Sequence, residues 1–416
     1  MKRRVMILST ALSGGGAEQV TLDLINYLKE SVCVVFENND KIVPKDCRLV
    51  SLPPPLSRGR SITIAHNLLR LSCIQLLKSY YRPMVTISHL EGPNFANLLS
   101  LGGGKKVIVV HNSIQENYGR LEKRFDRLKK KLIGVLYKRA SMVVVVSPQI
   151  GDELSELYGV SPERIRYIRN PIDRAWIQRQ SAKRFGDGRD DLLNLPFLIN
   201  IASLTLQKNH GLLLRAFASI TQEYPDLRLF LLGKGPEERN IRKVCSELKL
   251  SVEAWEDGAS PEKCKDAKVL LLGFQSNPYP FLVRSKLFAL TSLWEGLPIS
   301  VLEAMTLGKA LVISDCSPTI SELMGAKPIG GAQSLPILIG GEMASCGYKM
   351  RFFERPTDHD TIIAWAQAFR YLINDPELRG TLERQASSRS EIFDVKRTIL
   401  VWEDLIQELT SSKCTN

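Results

Sequence analysis

Apolar positions along the chain fall into two alternating patterns: short continuous runs, and longer stretches where they recur every three or four residues. The runs at 5–9, 32–36, 84–88, 106–110, 142–146 and 166–168 predict strands, with helices predicted at 17–29, 61–80 and 121–139. Strands that are apolar throughout and alternate with amphipathic helices belong to a parallel sheet covered on both faces. The polar stretch 178–194, containing Gly186-Asp187-Gly188-Arg189-Asp190-Asp191, has no hydrophobic period and predicts a linker or surface loop beside a domain boundary. The alternation then restarts, with strands at 197–201, 227–232, 269–272, 286–290 and 310–313 and helices at 212–224, 236–248 and 299–306. Residues 325–349 are rich in glycine and proline and carry no assignable period, while 358–374, 376–390 and 395–409 predict three helices.

The pattern predicts an α/β chain of two Rossmann-like, doubly wound domains facing across a cleft. The expected boundaries are 1–175 and 176–394, with a helix at 395–411 packing back on the first domain. Ligands of such sheets bind beyond the carboxyl ends of the strands, so the turns there are the places to look for chemistry.

Composition changes this picture only in detail. With 416 residues, 44% hydrophobic and 24% charged, the chain is ordinary for a globular protein and long enough for two or three domains. No apolar run reaches the ~18 residues that span a bilayer. The start, Met1-Lys2-Arg3-Arg4 before an apolar run, faintly resembles a signal peptide. The run gives way to Ser13-Gly14-Gly15-Gly16, which fits a first strand and a glycine loop better. The eight cysteines form no C-x-x-C pair and are expected to be reduced thiols of a cytosolic protein.

Four features carry candidate chemistry. Gly15 and Gly16 follow the first strand and open a helix, where glycines let backbone approach a phosphate; the alternative is a plain tight turn. In Ser203-Leu204-Thr205-Leu206-Gln207-Lys208-Asn209-His210, Lys208 stands at a strand-to-helix turn, placed for a diphosphate or simply solvated. In Trp294-Glu295-Gly296-Leu297-Pro298-Ile299-Ser300-Val301-Leu302-Glu303-Ala304-Met305, Pro298 fits the first helical turn. Amides near residues 296–299 would then point into the cleft. Glu303, between Leu302 and Ala304, reads as a partly buried carboxylate that takes its donors from ligand hydroxyls or from the protein. His111, after Val107-Ile108-Val109-Val110, ends a strand and is either functional or structural.

Together these segments resemble the retaining glycosyltransferases of family 4, which have the GT-B fold. The resemblance covers nearly the whole chain, and its most specific part is Glu295-x7-Glu303 in its setting. Gly15-Gly16-Ala17-Glu18, His111-Asn112, Asn170-Pro171-Ile172-Asp173, Gln207-Lys208-Asn209-His210, Leu232-Gly233-Lys234-Gly235-Pro236 and Asn277-Pro278-Tyr279-Pro280 support it. It implies transfer of a hexose from a nucleoside-diphosphate sugar to an acceptor hydroxyl, with retention of configuration. Lys208 would contact the diphosphate, Glu295 the donor-sugar hydroxyls and Glu303 the ribose. Gly296, Leu297 and Pro298 would line the donor site, His111 would lie near the reacting sugar, and Gly15 and Gly16 would approach the phosphate. The family's arginine five residues before the lysine is here Ser203, leaving Lys208 to act with backbone amides or with another cation. Neither cofactor nor metal is expected. The literal Asp358-His359-Asp360 opens a helical stretch and fits capping better than metal binding. A sugar-nucleotide epimerase of the same architecture and a catalytically inactive sugar-nucleotide-binding module are the alternative readings.

Charge adds the acceptor side. Residues 1–175 hold 27 Lys+Arg against 15 Asp+Glu, so the whole net charge of +12 lies there. Within 120–139, nine basic residues face only Glu122 and Asp126, and Leu121, Phe125, Leu128, Leu132, Val135 and Leu136 follow helical spacing. This basic amphipathic helix suits an anionic membrane surface, with Lys123, Arg124, Arg127, Lys130 and Lys131 as contacts; the alternative is a domain helix with its stripe in the core. Family members commonly hold the acceptor in the N-terminal domain, and many acceptors are polyprenyl-diphosphate-linked glycans. The expectation is therefore a cytoplasmic enzyme, peripheral at the inner face of the cell membrane, that extends a lipid-linked glycan in surface-polysaccharide synthesis. No nucleic-acid-binding module is present, so the basic charge is not read as a sign of DNA or RNA.

Overall fold

A computed structural model of the chain describes residues 5–12, 16–28, 31–36, 46–52, 60–119, 124–255, 261–325, 340–351 and 358–411. They form two compact units, Met1–Ile172 with Phe393–Asn416, and Asp173–Ile392.

The first unit is built on seven parallel strands: β1 (Val5–Ser9), β2 (Ser31–Val35), β3 (Arg48–Ser51), β4 (Val85–His89), β5 (Lys105–Val110), β6 (Met142–Val145) and β7 (Ile165–Tyr167). Their order is β3-β2-β1-β4-β5-β6-β7. Strands β1, β2, β4 and β6 are buried along their whole length, which is why they read as continuous apolar runs. The helix Val395–Ser411 belongs to this unit and buries Ile399, Trp402 and Leu405.

The second unit holds eight strands: β8 (Phe197–Ile201), β9 (Arg228–Leu232), β10 (Val252–Ala254), β11 (Val269–Leu271), β12 (Leu287–Leu290), β13 (Leu311–Ser314), β14 (Gly341–Ala344) and β15 (Gly347–Met350). The order is β10-β11-β9-β8-β12-β13-β15-β14, with only the β14–β15 pair antiparallel. Strand order reverses between β1 and β4 in one sheet and between β8 and β12 in the other. Loops at such switch points diverge to opposite faces and leave a crevice at the carboxyl edge.

The structure departs from the sequence pattern in several places, among them β3 and β10, which the pattern does not predict. Strands β14 and β15 lie within the unassigned stretch 325–349. The stretch 178–194 is no free linker: helices Arg174–Ser181 and Arg189–Leu192 occupy much of it. Leu192 there is buried, the Phe185 ring packs 4.7 Å from that of Phe281, and Arg189 forks onto Asp187 at 2.7–3.0 Å. A few well-placed apolar anchors suffice where no periodic face exists. Asp358 stands at the N-cap of helix His359–Asn374 but makes no side-chain cap hydrogen bond, so the capping role expected of it is not realised.

Candidate active site

The loops after β8 and β12 flank the switch point of the second sheet and are sewn together by hydrogen bonds. The Thr291 hydroxyl donates to the carbonyls of Lys208 and Asn209, at 3.0 Å each. The Leu293 amide donates to the Gln207 carbonyl at 2.7 Å, and the Gln207 side chain returns a bond to the Trp294 carbonyl at 2.7 Å. Asn209 takes the left-handed conformation, φ 47° and ψ 50°, which asparagine tolerates better than most residues. It turns the chain from a 3-10 turn into helix His210–Ala218, and Lys208 is left pointing at the neighbouring loop.

Its ammonium meets Glu295. Lys208 Nζ lies 2.5 Å from Glu295 Oε1, and the Ser292 hydroxyl donates to the same oxygen at 2.6 Å. The Lys208 and Glu295 side chains are only 15% and 5% exposed, so this is a largely buried ion pair. An ammonium has three donors and a carboxylate two oxygens. The pair therefore leaves Lys208 with donors to spare, and Glu295 Oε2 has no hydrogen-bond partner among the described residues.

Ser203 is exposed at the carboxyl end of β8. The next loop is pressed against it: Leu204 N–H donates to the Lys234 carbonyl at 3.0 Å, and Glu237 N–H to the Leu204 carbonyl at 2.9 Å. Only glycine permits this approach, since a Cβ on Gly233 would lie 1.9 Å from the Ala202 carbonyl oxygen. The Lys234 backbone is thereby held against the loop after β8, while its side chain runs toward Gly273, where an added Cβ would lie 3.4 Å from Lys234 Cε.

Gly296, Leu297 and Pro298 are buried. Pro298 is the N-cap of helix Ile299–Thr306, with φ −70° and ψ 114°, one position earlier than its expected place inside the first turn. Glu303, in the middle of that helix, accepts a hydrogen bond from the Tyr279 hydroxyl at 2.8 Å. Burial pushes its carboxyl up to about 7, against the opposing pull of the Tyr279 bond.

In the first unit, Gly16 opens helix Gly16–Tyr27, while Gly15 lies outside the described residues. His111 follows β5 and is half-buried; its Nε2 lies 3.1 Å from Nδ1 of His89, and the two rings stack at 5.3 Å. The strand register explains the meeting. His89 pairs with Val109, and residue 111 shares the face of 109 because side chains alternate. Burial lowers both imidazoles, His89 well below its ordinary value and His111 to about 4.

Helix Arg124–Leu136 buries Ile133 and Leu136 but turns Leu128 and Val135 outward, 62% and 56% exposed, with Leu132 between them. Arg127 and Lys131 are exposed beside this stripe, and Lys130 reaches Gln115 Oε1 at 3.1 Å. Of the expected stripe, then, only Leu136 joins the core among the residues whose side chains are described. Lys123 and the side chain of Arg124 lie outside the described residues. Among those residues no helix is long and apolar enough to cross a membrane, and no three His, Cys, Asp or Glu side chains group as metal ligands.

Two family models match this chain, glycosyltransferase family 4 over residues 14–176 and glycosyl transferases group 1 over 196–332. The chain belongs to glycosyltransferase family 4. A relative from Campylobacter jejuni, N-acetylgalactosamine-N,N'-diacetylbacillosaminyl-diphospho-undecaprenol 4-alpha-N-acetylgalactosaminyltransferase, is 25% identical over 94% of this chain and 96% of its own. Sucrose-phosphate synthase from Thermosynechococcus elongatus superposes with a TM-score of 0.72 at 14% identity, covering 99% of this chain and 100% of that one. The Anabaena protein HepE, solved with UDP and glucose, superposes with a TM-score of 0.68 at 15% identity, covering 97% and 99%. The two α/β units with parallel cores are thus the GT-B fold.

The glycosyltransferase brings Lys208 and Glu295 into contact, with Ser292 as a third member that the motif alone did not single out. Tyr279, noted only as part of a family segment, is the partner of Glu303. His89 went unnoticed, although a histidine ending the apolar run beside the one that ends in His111 was a usable signal.

The Glu303 carboxyl makes a prediction about stability. Its folded value, about 7, lies above the ordinary 4.5, so it costs the fold nothing below 4.5 and progressively more as pH rises to about 7. Glu303→Gln is expected to stabilise the enzyme by about 3 kcal/mol above pH ~7, with little effect near pH ~4.5. Denaturant unfolding across that range checks this, and an effect independent of pH would contradict it.

Proposed function

We propose that this glycosyltransferase moves a hexose from a nucleoside-diphosphate sugar to a hydroxyl of a polyprenyl-diphosphate-linked glycan. The transfer takes place at the anionic inner face of the cell membrane, with retention and without a metal. The observation that carries the reading is the Lys208–Glu295 pair at the switch point of the second sheet. The name of the Campylobacter jejuni relative supports a lipid-linked acceptor, since it specifies an undecaprenyl diphosphate.

In transfer, negative charge gathers on the departing diphosphate while the sugar becomes oxocarbenium-like. Donors fixed in advance toward that charge are the main lever, each worth about 10²–10³ in rate. The spare Lys208 donors and the amides at the start of helix Ile299–Thr306 supply that field. Glu295 Oε2 accepts sugar hydroxyls, and Glu303 accepts those of the ribose. Glu295 is already committed to two donors and serves as an anchor, not as a nucleophile.

Lys208→Ala and Glu303→Ala are each expected to lower transfer by about 10²-fold or more. A panel of labelled nucleotide sugars with a lipid-linked acceptor measures this, and chelator is expected to leave the wild-type rate unchanged. Near-normal turnover in either folded variant, or loss with chelator and recovery with Mg²⁺, would overturn the corresponding part. Epimerised donor in place of a glycosylated product would favour the epimerase, and neither product the inactive module.

The exposed stripe of Leu128, Leu132 and Val135, flanked by Arg127 and Lys131, supports the membrane reading. An apolar strip that a soluble surface would not need adds insertion to electrostatic attraction. The enzyme is expected to cosediment with anionic vesicles at low salt, and Leu128→Asp with Val135→Asp to abolish it. Absence of binding, or binding indifferent to these changes, would remove the membrane from the proposal.

A further inference from the structure

The histidine pair of the first unit carries an inference beyond the family motif, resting on the proposed transfer and on the place near the reacting sugar that the family resemblance implies for His111. His89 is fully buried, and its Nε2 has no hydrogen-bond partner among the described residues. Its Nδ1 and His111 Nε2 share one hydrogen at 3.1 Å. Two arrangements are possible. If His111 Nε2–H donates, the neutral His89 must carry its own hydrogen on Nε2, leaving an N–H buried without an acceptor. If His89 Nδ1–H donates, Nε2 is only a bare lone pair. Orphaned buried N–H groups are rarer than under-satisfied acceptors, which selects the second arrangement. His111 Nε2 then accepts, so the one hydrogen of neutral His111 must sit on Nδ1, which has no partner among the described residues.

A second observation marks the same spot. Leu90, immediately after His89, has φ 70° and ψ 163°, a region that is essentially reserved for glycine. The helix Glu91–Leu99 starts directly from it. Backbone held in such a conformation collects at sites that need a side chain aimed in one direction. Here it lies where β4 ends at the switch point, with His89 as the last strand residue.

We propose that His89 is a positioning residue that fixes His111 in its Nδ1–H tautomer, so that His111 meets a sugar or acceptor oxygen as a neutral hydrogen-bond donor and not as a base. The depressed imidazoles fit this, because charging His111 would require a proton on the nitrogen that already faces the His89 N–H.

Two-bond ¹H–¹⁵N correlation spectra of histidine-labelled protein read the tautomer directly, with assignments from His89→Gln and His111→Asn. The expected pattern is a protonated Nδ1 and a bare Nε2 for His111, with a protonated Nδ1 for His89. The reverse pattern, or a charged His111 at neutral pH, would overturn the proposal. In transfer assays His89→Phe, which keeps the ring and loses the donor, is expected to lower kcat by about 10²-fold with little change in donor KM. His89→Gln keeps an N–H donor and is expected to lose less than about tenfold. Equal rates in the folded Phe and Gln variants would contradict the proposal. If the chain transfers no sugar at all the proposed reaction falls, and the spectrum still decides the tautomer.

Discussion

The second unit is organised around one buried ion pair. Lys208 and Glu295 come from different loops, 87 positions apart, and neither charge is comfortable at its depth without the other. Removing one partner of such a pair costs several kcal/mol, because the remaining charge is stranded. The hydrogen bonds that sew the two loops together have the effect of keeping that distance short. Thr291, Leu293 and Gln207 are therefore part of the site although none need touch a ligand. A polar contact of this kind is a poor way to stabilise a fold, since desolvation offsets most of its attraction. It is a good way to hold a cation and an acceptor in fixed relation before substrate arrives.

Glu303 shows the same exchange of stability for readiness. A carboxyl with one tyrosine bond in an apolar helix is pushed toward neutrality, and hydroxyl donors from a ligand would restore its charge. In the first unit the arrangement is the opposite. The His89–His111 pair is kept neutral by burial, and its hydrogen is directed by what the buried nitrogen lacks. Charged groups thus gather where a diphosphate is expected, and neutral ones near the proposed site of reaction.

Much of this was legible in the chain. Continuous apolar runs revealed most of the strands because parallel strands are buried on both faces. Glu295-x7-Glu303 and the Lys208 turn stood out as candidates through the family resemblance, and the structure brings Lys208 against Glu295. The strands β3 and β10 and the hairpin of β14 and β15 were not legible, being short or glycine-rich edge pieces without a period of their own. The Lys208–Glu295 contact itself, the Tyr279 bond and the histidine pair depend on strand register and loop pairing, which link residues distant in sequence. The basic helix was ambiguous for a related reason: spacing finds the apolar stripe, and only packing tells which of Leu128, Leu132, Val135 and Leu136 face the core. The N-terminal charge excess now has an outward-facing apolar strip beside it, which a purely solvated helix would not need.

The central claim is that Lys208, held by Glu295, receives the donor's diphosphate. Calorimetric titration with UDP, GDP and ADP tests it most directly, on the wild type and on Lys208→Met with Glu295→Gln to avoid a stranded charge. The expected result is saturable binding of one of these nucleotides to the wild type, weakened at least about tenfold in the folded double variant. Equal affinity in the two proteins would contradict the account.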